Sequence, residues 1–466
     1  MLFLLLFTLT FPFYVTSVDS LPRGIVIDSV SVSGATHQSY ALYLPSNYDS
    51  AKSWPVLFGL DPAARGRKPV DIFSQPAKQF DYIIAGSNDA QNGPINKILP
   101  AVYAMMRDVK QKFHIDKKRI YLTGFSGGSR LASYIASQNP DIAGIIACGA
   151  GLQPNLKLSP DPKFSYVSTV GNADMNFIEM KELYQTMNKM NWTHHMIIFN
   201  GTHQWPDSAS ANEAIRWLQL DAMRRELMPI DTNFIQRFYA FQIQKANFYE
   251  NEQKYVDAYR TLQQIIHDFD TFPFVYLIPI RKRIKSLESS RYYRKDQRKE
   301  QKIRDEEDER MQTYLSAYKT ILNVRFDRTD QLKSQNWWKK QIQQVQKLKE
   351  SDDPDYALLG KRLEQFMKAH AYEYHRFIED YWKDYHRLVW MDQVFVLLYP
   401  KSRQVRYLLA RSLILDHQTQ EGLETLKKAV DLGYHDYHNL NSNPDFKSVR
   451  SHPEFQKILG VLKPMQ

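Results

Sequence analysis

A single cysteine, Cys148, in 466 residues excludes any disulfide within the chain. It lies in the apolar run IAGIIACGAG and is read as a small buried core residue. Long hydrophobic runs are also missing. The most apolar stretch, MLFLLLFTLTFPFYVTS at the N-terminus, is shorter than the roughly 20 apolar residues a bilayer span needs. Its length is that of the apolar region of a signal peptide, although no basic residue follows Met1. Without a cysteine there, a lipoprotein anchor is excluded. Val15 and Ser17 are small enough to precede a cleavage site. The expectation is a signal peptide over residues 1–17, export to the periplasm or the medium, and no stable membrane span after cleavage.

Charge of one sign is not concentrated either. The net charge is +10, yet residues 281–310 mix 12 basic with 8 acidic side chains and few apolar ones. That mixture reads as a long solvated helix or a flexible connection rather than a nucleic-acid surface or a core segment. No nucleic-acid partner is expected. Disorder is excluded by a hydrophobic fraction of 43%, and the length calls for two or three domains.

From about residue 22 to 226, strand-like runs alternate with amphipathic helical ones. The runs are SYALYLP, SWPVLFGL, DYIIAGS, KRIYLTGF, IAGIIACG, FSYVSTVG and HHMIIFNG, with helices predicted over 94–113, 127–138, 176–190 and 208–225. This alternation predicts an α/β architecture, a mostly parallel sheet with helices on both faces. The first run alternates like a half-exposed strand, which predicts an antiparallel start. After residue 227 the strand signal ends and helix-period segments follow, predicting an all-α domain over 227–466. In that half Ala246, Tyr249, Ala258, Leu262 and Ile265 share offsets with Ala410, Leu413, Gly422, Leu426 and Ala429. Such spacing suits helix pairs that approach closely at small residues, as in tetratricopeptide repeats.

One short stretch carries chemistry. Gly124-Phe125-Ser126-Gly127-Gly128 follows a strand and opens a helix. Glycines there permit the tight turn that pushes a serine out at the end of a sheet, under the positive end of the next helix. A serine hydroxyl needs a base, an orienting acid and oxyanion donors before it becomes a useful nucleophile. The order expected is serine, acid, histidine, each partner just past a later strand. Asp174 follows FSYVSTV in GNADMNF, and His203 follows HHMIIFN in GTHQWP. Of the other histidines in this half, His37 and His114 precede the serine, while His194 and His195 begin a strand at the wrong end. Asn191-Trp192-Thr193 and Asn200-Gly201-Thr202 match the glycosylation pattern. A glycan three residues from His203 would crowd the site, and both are read as chance.

GFSGG, GNADMNF and GTHQWP together resemble the α/β-hydrolase superfamily. Residues 25–225 look like its carboxylesterases of the feruloyl esterase, acetylxylan esterase and poly(3-hydroxybutyrate) depolymerase type, with tetratricopeptide-like repeats appended. The resemblance implies Ser126 as nucleophile, His203 as base and Asp174 as acid, with no metal or organic cofactor. Phe125 and Trp205, beside the nucleophile and the base in sequence, are expected to contact substrate. That family usually has His-Gly after its third strand, where this chain has Asp61-Pro62. Proline has no N–H to donate, so the oxyanion donors are expected at Ala63 and Gly127; Asp61 is expected to turn the loop, the alternative being that it disfavours anionic substrates by like-charge repulsion. The function expected is an exported serine esterase whose helical half docks a protein partner or a polymer-linked substrate. A peptidase of the prolyl-oligopeptidase type and a non-catalytic repeat scaffold are the alternatives. Nothing like the N-terminal propeller of such peptidases precedes residue 22.

Overall fold

In the computed structural model, residues 21–156, 159–160, 162–323 and 332–462 are described. The segment read as a signal peptide, with cleavage near Ser17, lies outside the described residues.

Eight strands form one sheet: β1 (Val26–Val32), β2 (Ala35–Tyr43), β3 (Trp54–Leu60), β4 (Ile83–Ser87), β5 (Ile115–Phe125), β6 (Ile142–Cys148), β7 (Ser165–Gly171) and β8 (His194–Phe199), in the order β1-β2-β4-β3-β5-β6-β7-β8. β2 runs antiparallel to β1 and β4, and every later pairing is parallel. Helices α1 (Arg67–Phe80), α2 (Ile95–Lys112), α3 (Gly127–Gln138) and α4 (Phe177–Lys189) lie in crossovers between strands, and α5 (Ser208–Arg224) follows β8. This order, with an antiparallel start and helical crossovers, is the α/β-hydrolase fold. Strands β3, β4, β6 and β7 are buried along their whole length, which is why they read as largely apolar runs, with the few polar side chains, such as Ser165, Ser168 and Thr169 of β7, buried as well.

The first compact unit does not stop where the alternation stops. It runs on to Ser290, taking in α6 (Thr232–Asn251), α7 (Tyr255–Phe269) and α8 (Ile278–Ser289), so the expected division at 226/227 is not where the compact units part. The reason is a shared core. Phe234, Phe238, Leu262, Ile265 and Phe269 pack in one cluster with Ile215, Trp217 and Leu218 of α5 and with Ile146 and Val167 of the sheet. Ala246 and Ala258 are fully buried, and α6 and α7 pack on each other, as their spacing implies.

A buried polar cluster reinforces this packing. His195 Nδ1 donates to Asp268 Oδ2 at 2.9 Å, and its Nε2 lies 3.3 Å from Glu213 Oε1. Lys245 Nζ reaches both Glu213 oxygens at 2.8 and 3.0 Å, and Trp217 Nε1 donates to Asp268 Oδ1 at 2.9 Å. Burial alone would lower the His195 pKa, but the facing Asp268 and Glu213 carboxylates outweigh it and raise it.

The second unit is all-helical: α9 (Arg291–Asn323), α10 (Gln335–Lys349), α11 (Pro354–Phe377), a π-helical turn at Ile378–Trp382, α12 (Tyr385–Leu398), α13 (Arg403–Leu415), α14 (Thr419–Asp431), α15 (Tyr437–Ser442) and α16 (Pro453–Leu462). The charged stretch 281–310 covers most of α8 and the first part of α9. It is not wholly solvated, because Ile303 is buried and Glu307 forms a buried bidentate pair with Arg362, at 2.7 and 2.6 Å. Gly422 explains the close α13–α14 approach: a Cβ there would lie 2.6 Å from Ile414 Cγ1 and 3.3 Å from the Ala410 carbonyl. No described helix is long and apolar enough to cross a membrane.

Candidate active site

β5 ends at Phe125 and α3 begins at Gly127, leaving Ser126 alone at the bend with φ 52° and ψ −118°. A left-handed φ on a residue with a side chain is strained, costing on the order of 1–3 kcal/mol. Here it is enforced by two close backbone approaches. A Cβ on Gly124 would lie 2.1 Å from the Gly128 carbonyl oxygen, and one on Gly128 would lie 2.1 Å from that of Leu60. The Ser126 amide is fixed to the Cys148 carbonyl at 2.9 Å. Ser126 therefore stands, half-buried, at the C-terminal end of β5 and at the N-terminus of α3.

His203 follows β8 at the same end of the parallel sheet. Its Nε2 is 3.0 Å from Ser126 Oγ, and its ring lies on Phe125 with centroids 4.6 Å apart. Trp205 stacks behind Phe125 at 5.6 Å. Both aromatic side chains are buried, so in this structure they support the imidazole rather than line open space. The loop that carries His203 is tied to the end of β7. Asn172 N donates to the Phe199 carbonyl at 2.8 Å, and Gly201 N to Asn172 Oδ1 at 3.3 Å. Asp174 comes two residues after Asn172 and is fully buried. The stretch Ala173–Met175 groups with the second compact unit, where Gln365 Nε2 donates to the Ala173 carbonyl at 2.9 Å. Cys148 lies beneath the turn, and burial pushes its thiol pKa up to about 12, which leaves it protonated and inert at neutral pH.

The β3 loop holds the largest difference from expectation. Asp61 is fully buried and gathers four hydrogen bonds: from Arg65 Nε and a second guanidinium nitrogen, from Trp205 Nε1, and from the Ala63 amide, each at 2.9 Å. Burial alone would raise its pKa, but these bonds outweigh it and hold the carboxyl below its ordinary value. Asp61 thus turns the loop and carries an ion pair with Arg65. It also consumes the Ala63 N–H that was expected to face an oxyanion. Gly127, the other expected donor, has an amide with no acceptor among the described residues. Sequence reading did not foresee the bond from Trp205 to Asp61, although the tryptophan of GTHQWP was the available signal. The His194 and His195 side chains play no part in this site. A separate cleft of about 550 Å³, lined by Trp54, Arg119, Arg216 and Arg237 among others, opens at the opposite, N-terminal ends of the strands.

Among the described residues, no group of three or more histidine, cysteine or acidic side chains is arranged to hold a metal. The arrangement at Ser126 offers a hydroxyl 3.0 Å from an imidazole nitrogen and a helix N-terminal amide with no acceptor among the described residues.

Comparison with known proteins gives three results. No curated protein matches the chain. Solved structures that resemble it include an S-formylglutathione hydrolase from Staphylococcus aureus, at 16% identity over 42% of this chain and 98% of that one, with a TM-score of 0.34. A ferulic acid esterase matches at 16% identity over 42% and 98%, TM-score 0.36, and a feruloyl esterase module from Clostridium thermocellum at 14% over 42% and 91%, TM-score 0.30. Residues 74–214, which include Ser126, Asp174 and His203, match the model of the dienelactone hydrolase family.

Proposed function

We propose that this chain is a serine hydrolase of carboxylic esters that works through an acyl-enzyme on Ser126. The observation that carries the reading is a serine held at positive φ on a strand–helix turn, with His203 Nε2 3.0 Å from its oxygen. The family match over residues 74–214 supports an ester as the bond cleaved. In the first step Ser126 Oγ attacks the ester carbonyl while His203 Nε2 takes its proton. The C–O bond to the alcohol then breaks, and His203 returns the proton to the departing oxygen. Water, deprotonated by His203, attacks the acyl-enzyme and releases the acid and a free Ser126. For Nε2 to accept, the ring must carry its proton on Nδ1. Asp174 is assigned as the carboxylate that takes that hydrogen bond, on its place after β7, its position between Ser126 and His203 in the chain, and its burial.

The helical second unit is assigned to docking a protein partner or the polymer that bears the ester, since stacked helix pairs build extended grooves. The N-terminal stretch is assigned to export. The test is hydrolysis of p-nitrophenyl esters of increasing acyl length beside a peptide panel. Ester turnover, lost by several orders of magnitude in His203→Ala, is the expected result. Peptide cleavage without ester cleavage would overturn the assignment.

A further inference from the structure

Resting on the ester-hydrolase reading above, the geometry points to Asn92 as a catalytic residue: we infer that its side-chain amide is the second oxyanion donor. A tetrahedral intermediate on Ser126 needs two donors about 2.7–3.1 Å from its oxygen. The free Gly127 N–H supplies one. The β3 loop, the usual source of the other, is closed to this use. Pro62 has no N–H, the Ala63 N–H is given to Asp61 Oδ1 at 2.9 Å, and the Ala64 N–H to the Asp61 carbonyl at 3.0 Å. Three successive residues therefore offer nothing to an oxyanion.

The segment between β4 and α2 fills the gap. It is fastened to the β3 loop by the Asn92 N–H, which donates to the Pro62 carbonyl at 2.8 Å, and by a bridge between Gln91 and Ala63. That fastening lays the Asn92 amide against Gly127. A Cβ built on Gly127 would meet Asn92 Oδ1 at 2.1 Å and Cγ and Nδ2 at 2.7 Å each. The side chain thus occupies the space that any larger residue after the nucleophile would fill. It is exposed and makes no hydrogen bond to a described residue, so its two N–H donors are uncommitted. A half-turn about χ2 exchanges Oδ1 and Nδ2, so the amide presents a donor beside the Gly127 N–H with no change in backbone.

The arrangement also accounts for the sequence on both sides. Glycine at 127 leaves room for an amide from another loop, and Asp61-Pro62 is tolerated after β3 because the backbone there is not the donor. Attack by Ser126 Oγ moves the carbonyl electron pair onto oxygen, where Gly127 N–H and Asn92 Nδ2–H stabilise the charge. The pair returns when the alcohol leaves.

The experiment uses the full-length protein with a short-chain p-nitrophenyl ester. Asn92→Ala should lower kcat about 10²–10³-fold, as loss of one such donor does elsewhere, with KM changed less than about threefold, as expected for an interaction made in the transition state. Asn92→Asp should be at least as poor, because a carboxylate repels the oxyanion. Binding of a trifluoromethyl ketone, which mimics the tetrahedral adduct, should weaken in parallel with kcat across the two variants. An Asn92→Ala enzyme with kcat within threefold of the parent, while Ser126→Ala is inactive, would overturn the Asn92 assignment alone. Ester hydrolysis that survives in Ser126→Ala would instead sink the serine reading. A parent protein with neither hydrolysis nor fluorophosphonate labelling would overturn both.

Discussion

Replacing Asp268 with alanine attacks the packing of α6 and α7 on the sheet at a point where charge, not apolar area, does the holding. Asp268 is fully buried and accepts from His195 Nδ1 and Trp217 Nε1, both at 2.9 Å. Its removal leaves two buried donors without acceptors, at about 1–3 kcal/mol each. Treated as the breaking of a buried ion pair, the same change costs about 3–5 kcal/mol. The two routes agree, and we expect a loss of about 3–5 kcal/mol, a large part of the roughly 5–15 kcal/mol of a typical domain. Hydrogen exchange on peptides from 192–222 and 255–269 reads this unit by itself. The pH dependence follows from the shifts. The raised His195 pKa gives stability that is complete below the unfolded value, about 6.5, and is lost as pH rises through the folded one. The lowered Asp268 and Glu213 values give stability present above about 4 and lost as pH falls through the folded values. Exchange protection should therefore peak between those limits in the parent and flatten on the alkaline side in Asp268→Asn. A loss below about 1 kcal/mol in Asp268→Ala would show that the buried Asp268 cluster does not hold α6 and α7 on the sheet.

Further outcomes concern the rest of the chain. A chain shortened to end at Leu227 should be insoluble, since it exposes the faces of Ile215 and Trp217 and strands Glu213 and His195, whereas one ending at Ser290 should melt cooperatively by circular dichroism. Equal melts for the two would contradict the shared core. In the second unit, His375 is raised to about 9 by Asp392 and Glu379 despite its burial. Its contribution, roughly 3 kcal/mol from a shift of that size, is complete below about 6.5 and lost as pH rises through about 9. Exchange protection of peptides around 375–392 should fall over that range, and pH-independent protection would refute the pairing. Protein recovered from its native host should begin near Val18 and lie outside the cytoplasm by N-terminal sequencing, and an intact Met1 on cytoplasmic protein would refute export.

Strands β3 to β8 were legible as largely apolar runs, because a parallel sheet covered on both faces needs little polar alternation, and β2 was legible by its alternation. β1 was not, since VIDSVSV is half exposed and lies at the sheet edge. α1 escaped notice because Pro76 stands inside it, against the usual rule for helices. The turn at Ser126 and the place of His203 could be read because glycine spacing and strand order encode them locally. The end of the first unit at Ser290 could not. Helical periodicity says which face is apolar but not what covers it, and the decisive partners are His195 with Asp268 and Glu213 with Lys245, 73 and 32 residues apart. For the same reason Asn92 carries no sequence signal. Its nearness to Gly127 comes from its backbone bond to Pro62 and the neighbouring bridge between Gln91 and Ala63.

The most direct test of the account is covalent labelling of the full-length protein with a fluorophosphonate, followed by peptide mapping. The account predicts one modified residue, Ser126, labelled in step with loss of ester hydrolysis and unlabelled in Ser126→Ala. Labelling at another residue, or full inhibition with Ser126 unmodified, would contradict it.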